Sequence, residues 1–401
     1  MKKYVFFMTG CKSWLRVAKK LKDKEIAQPV FWLGDERHKQ EALNYFGDVV
    51  HSLDSLVHYP NELKNIDYKG EGVNFFRSQR YLEIKDKTIK MMDRVDSFGN
   101  FTLLDREVIF KKIAMWGLKH ISLSKPDVFI SSDSPHSFAQ YLIYEICNFY
   151  EIPSYKFNTY MPLPLLFLEN IENGEKILRT TSVGEQIRYN FKEKINKFVR
   201  KIENSFNRDE KYEHKFMTSQ RLQSKFLPKI SQFFQNEFRR ILSEIKKDLL
   251  SYRNKYHDHL NPFNLSFFTR LKMQQMKAKN LKKYCDIESQ QLDEHNRYVY
   301  FALMHEPERT SNPDAGIFHD QLIAILSLRK ILPSDILLIV KEHPSQFYLE
   351  ERGAKGRSPL FYSALKNIDG VRFIGPYEDS NKLIKNAIFS TSLTGNDGDD
   401  F

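Results

Sequence analysis

Cysteine is scarce: Cys11, Cys147 and Cys285 are the three in a chain of 401 residues. Their spacing suits neither a metal site nor a redox pair, and three scattered thiols build no disulfide framework. A reducing, cytoplasmic setting is therefore expected. No apolar run approaches the ~18 residues that a membrane span requires. Met1-Lys2-Lys3 leads into a short apolar stretch and then charged residues, unlike a signal peptide. The dinucleotide fingerprint GxGxxG is missing, and Thr9-Gly10 is too short to act as a phosphate loop. No Asp-x-Asp pair stands at the end of an apolar strand, where two carboxylates could share a cation. Internal repeats and low-complexity tracts are also missing.

Positive charge, in contrast, is in excess. Lys and Arg number 62 against 51 Asp and Glu, a formal charge of +11. That balance favours anionic partners such as nucleotides, acidic glycans or lipid headgroups, and equally suits a solvated basic surface. The length accommodates two domains.

The densest signal runs from Tyr298 to Gln346. Tyr298–Met304 is apolar without alternation, the pattern of a strand buried on both faces of a parallel sheet. From Gly316 to Lys330 the apolar residues Phe318, Leu322, Ile325 and Leu326 predict one helical face, and Leu332-Pro333 ends it. Asp335–Val340 is a second strand, so the stretch predicts a βαβ unit with a right-handed crossover. Both strands run into polar residues: His305 to Glu308 after the first, Lys341 to His343 after the second. Ligands of open parallel sheets bind beyond such carboxyl ends.

Taken in order, the chain predicts strands at Tyr4–Met8, Pro29–Leu33 and Asp48–Leu53, with a helix capped by Ser13 and running to Lys24. Residues 57–102 show no clean periodicity and stay unassigned. A helix over Arg106–Ser124 places Val108, Ile109, Ile113 and Trp116 on one face. A strand at Asp127–Ser131, a loop Ser132-Asp133-Ser134-Pro135-His136 and a helix over Ser137–Tyr150 follow. The loop has two readings: Asp133 and His136 are acid–base groups facing an acceptor, or Asp133 or Ser134 caps the helix. Strands at Ile152–Phe157 and Leu163–Leu168 and a turn at Asn173-Gly174 close this half. From 185 to 292 the chain is dense in Lys, Arg, Glu and Phe, and Phe234, Phe238, Ile241, Leu242, Ile245 and Leu249 mark an amphipathic helix. It reads as a helical connection; a basic amphipathic helix is also the pattern of one lying on a membrane surface. His257-Asp258-His259 lacks a third ligand and predicts no metal site. Beyond the central βαβ unit, Ser358-Pro359 opens a helix to Lys366. A strand at Val371–Ile374, a helix at Asp379–Lys385 and a strand at Ala387–Thr391 complete the pattern. The fold class is thus α/β, with parts at 1–184, 185–292 and 293–401.

Glu306-Pro307-Glu308, His343-Pro344, Arg352-Gly353, Gly356-Arg357-Ser358, Phe361-Tyr362 and Thr394-Gly395 together resemble a family. It is that of bacterial capsule and surface-polysaccharide biosynthesis proteins related to the Kdo transferases, which carry Gln-Pro-Glu after one strand and His-Pro after the next. The likeness covers about a hundred residues well and the N-terminal half loosely. Glu306 departs from it, standing where the family has glutamine.

The resemblance implies two Rossmann-like domains of GT-B type and a metal-independent glycosyltransferase with no resident cofactor. Its substrates would be a nucleotide sugar, with CMP the first suggestion for the nucleotide, and a surface-glycan or glycolipid acceptor; peripheral contact with the inner membrane face is expected and nucleic acid is not. His343 and Glu308, with Asp133, are the catalytic candidates. His305, Lys341, Pro344, Arg352, Arg357, Ser358, Thr394 and Gly395 are donor-binding candidates, and His136 lies on the acceptor side. An added carboxylate at Glu306 would disfavour an acidic sugar such as Kdo. The family continues past Thr-Gly into a further helix, so the C-terminal domain is expected to be incomplete here. Two alternatives remain open on these residues, a nucleotide-sugar epimerase of the same architecture and a non-catalytic basic binding protein.

Overall fold

The computed structural model describes residues 1–7, 12–34, 36–52, 73–96, 101–160, 165–177, 267–287, 296–308, 311–347 and 353–393, with a few residues within 192–200 and at 246. The chain divides into two compact units, each built on its own sheet. Both are α/β and Rossmann-like.

The first unit contains β1 (Lys2–Phe7), α1 (Lys12–Asp23), β2 (Ala27–Gly34), α2 (Glu36–Phe46), β3 (Val50–Ser52), α3 (Tyr81–Met91), α4 (Leu103–Ser124), β4 (Val128–Ser131), α5 (Phe138–Phe149), β5 (Ser154–Tyr160), β6 (Leu165–Asn170) and β7 (Lys176–Ile177). The strand order is β3-β2-β1-β4-β5-β6-β7. The pairs from β3 to β5 are parallel, and β6 and β7 are added antiparallel. Because side chains alternate along a strand, β1 serves two cores. Val5 and Phe7 pack with Phe31, Phe110, Ile113 and Phe129 on one face, Tyr4 and Phe6 with Leu15 and Trp32 on the other. That double burial explains a run without alternation.

Several boundaries differ from expectation for identifiable reasons. Helix α4 begins earlier, because Thr102 and Asp105 form a reciprocal capping box. Val108 turns out exposed while Ile109, Ile113 and Trp116 are buried. Ser13 lies inside α1 rather than capping it. The unassigned stretch contains α3, whose Ile84 and Met91 join the core. The turn at Thr9-Gly10 and, apart from Lys246, the predicted helix 234–249 lie outside the described residues.

At the edge of this unit His51 of β3 and His120 of α4 stand 5.2 Å apart, ring to ring, against Trp116 and Phe31. Burial, and then the charges of His120 and Lys39, push His51 down from its ordinary 6.5 to about 3. His120 is lowered too, chiefly by burial. A histidine held neutral in the fold stabilises it above its unfolded value, and that contribution is lost as pH falls from about 6.5 towards about 3. The His51→Phe protein is expected to lose less of its thermal midpoint between pH 7 and pH 4 than wild type; equal losses would show that the pair does not titrate with unfolding.

The second unit contains α6 (Phe267–Cys285), β8 (Tyr298–Ala302), α7 (Gln321–Ile331), β9 (Leu337–Lys341), α8 (Pro359–Lys366), β10 (Val371–Ile374), α9 (Ser380–Asn386) and β11 (Ser390–Thr391). Its sheet runs β10-β9-β8-β11, parallel throughout. Strand β8 is buried on both faces. On α7 the inward face is Gln321, Ala324 and Ile325; Leu326, a further 100° around, is exposed instead of buried. Ser358 caps α8 with Pro359 at its first turn, and Asp379 caps α9. Helix α6, from the basic stretch, belongs to this unit. Its buried positions Met273, Lys277, Asn280 and Tyr284, followed by Ile287, recur at alternating spacings of four and three. That spacing is one helical stripe.

Candidate functional site

All these strands run the same way, but the order in which they are added to the sheet reverses between β1 and β4 in the first unit and between β8 and β11 in the second. At such points the loops leaving neighbouring strands part to opposite faces and open a crevice.

In the second unit the chain leaves β8 through Leu303–Glu308 and β9 through Glu342–Phe347. Side-chain amides clamp these loops. Gln321, at the first turn of α7, bonds both backbone groups of Met304 at 2.9 and 3.1 Å and the Glu306 carboxylate at 2.7 Å. Gln346 bonds both backbone groups of Glu306 at 2.9 Å and the Gly353 carbonyl at 2.6 Å. Glu306 is therefore held at the base of the loop by Gln321. The single helical turn Gly353–Gly356 lies directly on this clamp. A Cβ on Gly353 would stand 2.8 Å from the Gln346 carbonyl, and one on Gly356 would overlap the Glu306 backbone. Gly356→Ala is expected to destabilise the fold by about 1–3 kcal/mol through overpacking, read as a lowered urea midpoint; an unchanged midpoint would mean the loop yields freely.

His343 is half-buried between the loops, its ring centroid 6.0 Å from that of His305. The Ser345 N–H donates to its Nδ1 at 3.2 Å. With Nδ1 accepting, the neutral ring carries its proton on Nε2. Burial first, then the fields of His305, Lys341 and Arg357, push its pKa down to about 3, against an opposing pull from Glu308. At neutral pH this imidazole is a fixed, uncharged N–H donor. Pro344 starts the single turn Pro344–Phe347 that follows, its ring fixing φ beside the histidine. Lys341 is buried at the end of β9, and its ammonium donates to the Ser380 hydroxyl at 2.9 Å. Glu308 is exposed at the loop's outer end, with its backbone carbonyl tied to Ser311 and Asn312.

Arg357, expected to reach a donor, is placed otherwise. Its guanidinium is buried and donates to Glu342 at 2.7 and 3.3 Å, to the Met304 carbonyl at 2.9 Å and to the Gly356 carbonyl at 3.0 Å. Burial is the largest influence and works against its charge, but Glu342, Tyr362 and Glu306 together outweigh it and raise its pKa. Arg357 thus ties the β8 loop to the β9 loop from beneath. Ser358 has its hydroxyl engaged as the α8 cap, 3.2 Å from the Phe361 N–H. Arg352, Thr394 and Gly395 lie outside the described residues, as does His257-Asp258-His259.

In the first unit, Asp133 bonds the Ser134 N–H at 2.7 Å, while the cap of α5 is Ser137, bonded to Gln140. The helix therefore begins later than a cap at Asp133 or Ser134 requires. His136 Nδ1 lies 2.8 Å from the Ser134 carbonyl. A carbonyl only accepts, so Nδ1 donates; in the neutral ring that leaves the lone pair on Nε2, the form a general base needs. Both residues stand in the loop after β4, at the reversal point beside β1.

The sequence reading missed Gln321, Gln346, Glu342 and Tyr284. No local pattern marks them: Glu342 stands between Lys341 and His343, Gln346 follows Ser345, and Tyr284 follows two lysines. Among the described residues no group of three or more His, Cys, Asp or Glu is placed to hold a metal ion, and no helix is long and apolar enough to cross a membrane.

No family model matches the chain, and no curated protein does. Among solved structures it is similar to the UDP-GlcNAc 2-epimerase of Neisseria meningitidis bound to UDP-GlcNAc, at 13% identity and a TM-score of 0.22, covering 98% of this chain and 78% of that one. The Methanocaldococcus jannaschii UDP-GlcNAc 2-epimerase gives 12% and 0.20 over 98% and 78%. The S. aureus MnaA–UDP co-structure gives 13% and 0.18 over 98% and 74%. Likeness at this level leaves the chemistry to be argued from the site itself.

Proposed function

We propose that this chain is a glycosyltransferase that takes a sugar from a nucleotide-activated donor, with the donor's phosphate seated in the crevice of the second unit. The observation that supports it is His343: neutral, its Nδ1 occupied by the Ser345 amide, its Nε2–H left to donate, at the ends of two parallel strands. As the glycosidic bond breaks, charge develops on the leaving phosphate. A fixed donor there stabilises the transition state without solvent reorganisation, and the adjacent Lys341 adds positive charge. Glu308, on the outer end of the loop, orients the donor or accepts a proton. His136, with its lone pair on Nε2, and Asp133 serve the acceptor hydroxyl in the first unit. The acceptor is a surface glycan or glycolipid, met at the inner face of the membrane, as the resemblance to polysaccharide-assembly proteins suggests. The chemistry described calls on no bound cation.

The test is a screen of nucleotide sugars for donor hydrolysis, with and without EDTA, alongside thermal protection by free nucleotides. Hydrolysis of a CMP-linked sugar that persists in EDTA, with protection by CMP, is expected. Epimerisation of a UDP-sugar without transfer, or salt-sensitive binding to any DNA with no nucleotide protection, would overturn the reading.

A further inference from the structure

The β9–β10 ladder ends at Lys341 and Ile374, which pair in register. Beyond that point a side chain takes the place of the next strand. Tyr284 of α6, fully buried, accepts from the Glu342 N–H at 3.0 Å and donates to the Ile374 carbonyl at 2.6 Å. One hydroxyl thus satisfies the backbone groups of both strands where they separate. Its ring is fixed by Tyr362, Phe347 and Phe373, at centroid distances of 5.3–5.9 Å.

The consequence passes to the next residue. Glu342, whose backbone Tyr284 holds, turns its carboxylate to the His343 N–H at 3.0 Å and accepts the Tyr362 hydroxyl at 2.8 Å. A second tether from α6, Asn280, bonds the carbonyl of Arg357 at 3.0 Å, and Arg357 closes the circuit onto Glu342. His343 is therefore aimed from both sides: its ring by Ser345, its backbone by Glu342.

We infer that Tyr284 is a positioning residue, a wedge from α6 between the ends of β9 and β10 that fixes the Glu342–His343 backbone and so keeps the His343 ring where the Ser345 N–H selects its tautomer. The inference rests on the proposed role of His343, but its structural half can be tested without substrate. An apolar residue at this place would leave an N–H and a carbonyl unsatisfied in the core. A shifted imidazole also matters because misplacement of about 1 Å costs roughly 100-fold in rate.

The experiment uses Tyr284→Phe, which keeps the ring. Imidazole nitrogen correlation spectra of the whole protein are expected to show His343 as the single Nε2–H tautomer in wild type and as a mixture in the variant. Well below the unfolding midpoint, kcat should fall by about 10- to 100-fold with KM within about twofold of wild type. Adding Tyr284→Phe to His343→Ala should cost nothing further, since the two act as a unit. A single tautomer retained in the variant overturns the inference, whatever happens to the rate. If Tyr284→Phe does not fold, hydrogen exchange in wild type decides: a Glu342 amide as protected as that of Val340 supports the wedge, and exchange about 100-fold faster overturns it. Should no donor be turned over, the proposed function fails while the tautomer result still judges Tyr284.

Discussion

Replacing His343 by alanine is expected to lower sugar transfer by about 100- to 1,000-fold, the usual loss when one preorganised donor to developing charge is removed. The fold should survive. The ring is half-buried, and its Nδ1 accepts from the Ser345 N–H, a bond whose loss leaves one backbone group to find another partner. The loss should fall on kcat more than on KM, because the bond it makes strengthens as the leaving group gains charge. The pH profile gives a second check. A protonated histidine acting as general acid would drive the rate down as pH rises through about 6.5. Here the folded value is about 3, so the ring is neutral throughout the working range and its donor proton stays on Nε2. No limb between pH 5 and pH 8 should therefore belong to His343. The His343→Ala profile should keep the shape of the wild-type profile at a lower level. Wild-type activity retained by the variant would remove this histidine from the reaction, and a lost acidic or basic limb would make it a proton carrier.

Parts of this architecture were legible because local chemistry and tertiary role coincide. Ser358-Pro359 announces a helix start, and α8 starts there; Val371–Ile374 reads as a strand and is one. The unbroken apolar run at Tyr298 signals a strand buried twice, and two core clusters meet on it. The polar ends of β8 and β9 could be read from position alone, since parallel sheets place ligands there. What stayed hidden depends on contacts between distant residues. Arg357 reads as a ligand for an anion, but its anion is Glu342, fifteen positions away and wholly buried. Glu342 sits between Lys341 and His343, and nothing in that run of charges says that the middle one faces the core. Gln321 and Gln346 look like ordinary surface amides until the β8 loop is laid across them. Tyr284 lies in a stretch whose lysines suggest a solvated or membrane-facing helix. One stripe of that helix, Met273, Lys277, Asn280 and Tyr284, is core. For Asp133 the helix-capping alternative was the simpler reading, yet Ser137 takes that role and leaves the loop before it.

The largest stability effect is expected at Glu342→Gln. The carboxylate is completely buried, and its side-chain partner Arg357 is 2% exposed. The pair is joined by the Tyr362 hydroxyl and the His343 amide, so the negative charge is fully bonded. Glutamine preserves shape and part of the hydrogen bonding but removes the charge, which leaves the Arg357 guanidinium as an uncompensated buried cation. Breaking one side of such a pair costs about 3–5 kcal/mol. Taken with about 2–4 °C per kcal/mol for a large domain, that lowers the unfolding midpoint of the second unit by on the order of 10 °C. The origin of the loss can be separated from lost packing by a second change. In Glu342→Gln/Arg357→Met the stranded charge is gone and the volume nearly kept, so much of the stability should return, as buried pairs replaced by apolar groups are often neutral. The reverse single change, Arg357→Met, strands the carboxylate instead and should be comparably damaging. Equal midpoints for wild type and Glu342→Gln at pH 7 would mean that water or another anion reaches Arg357, and that the two site loops are not held from beneath by this pair.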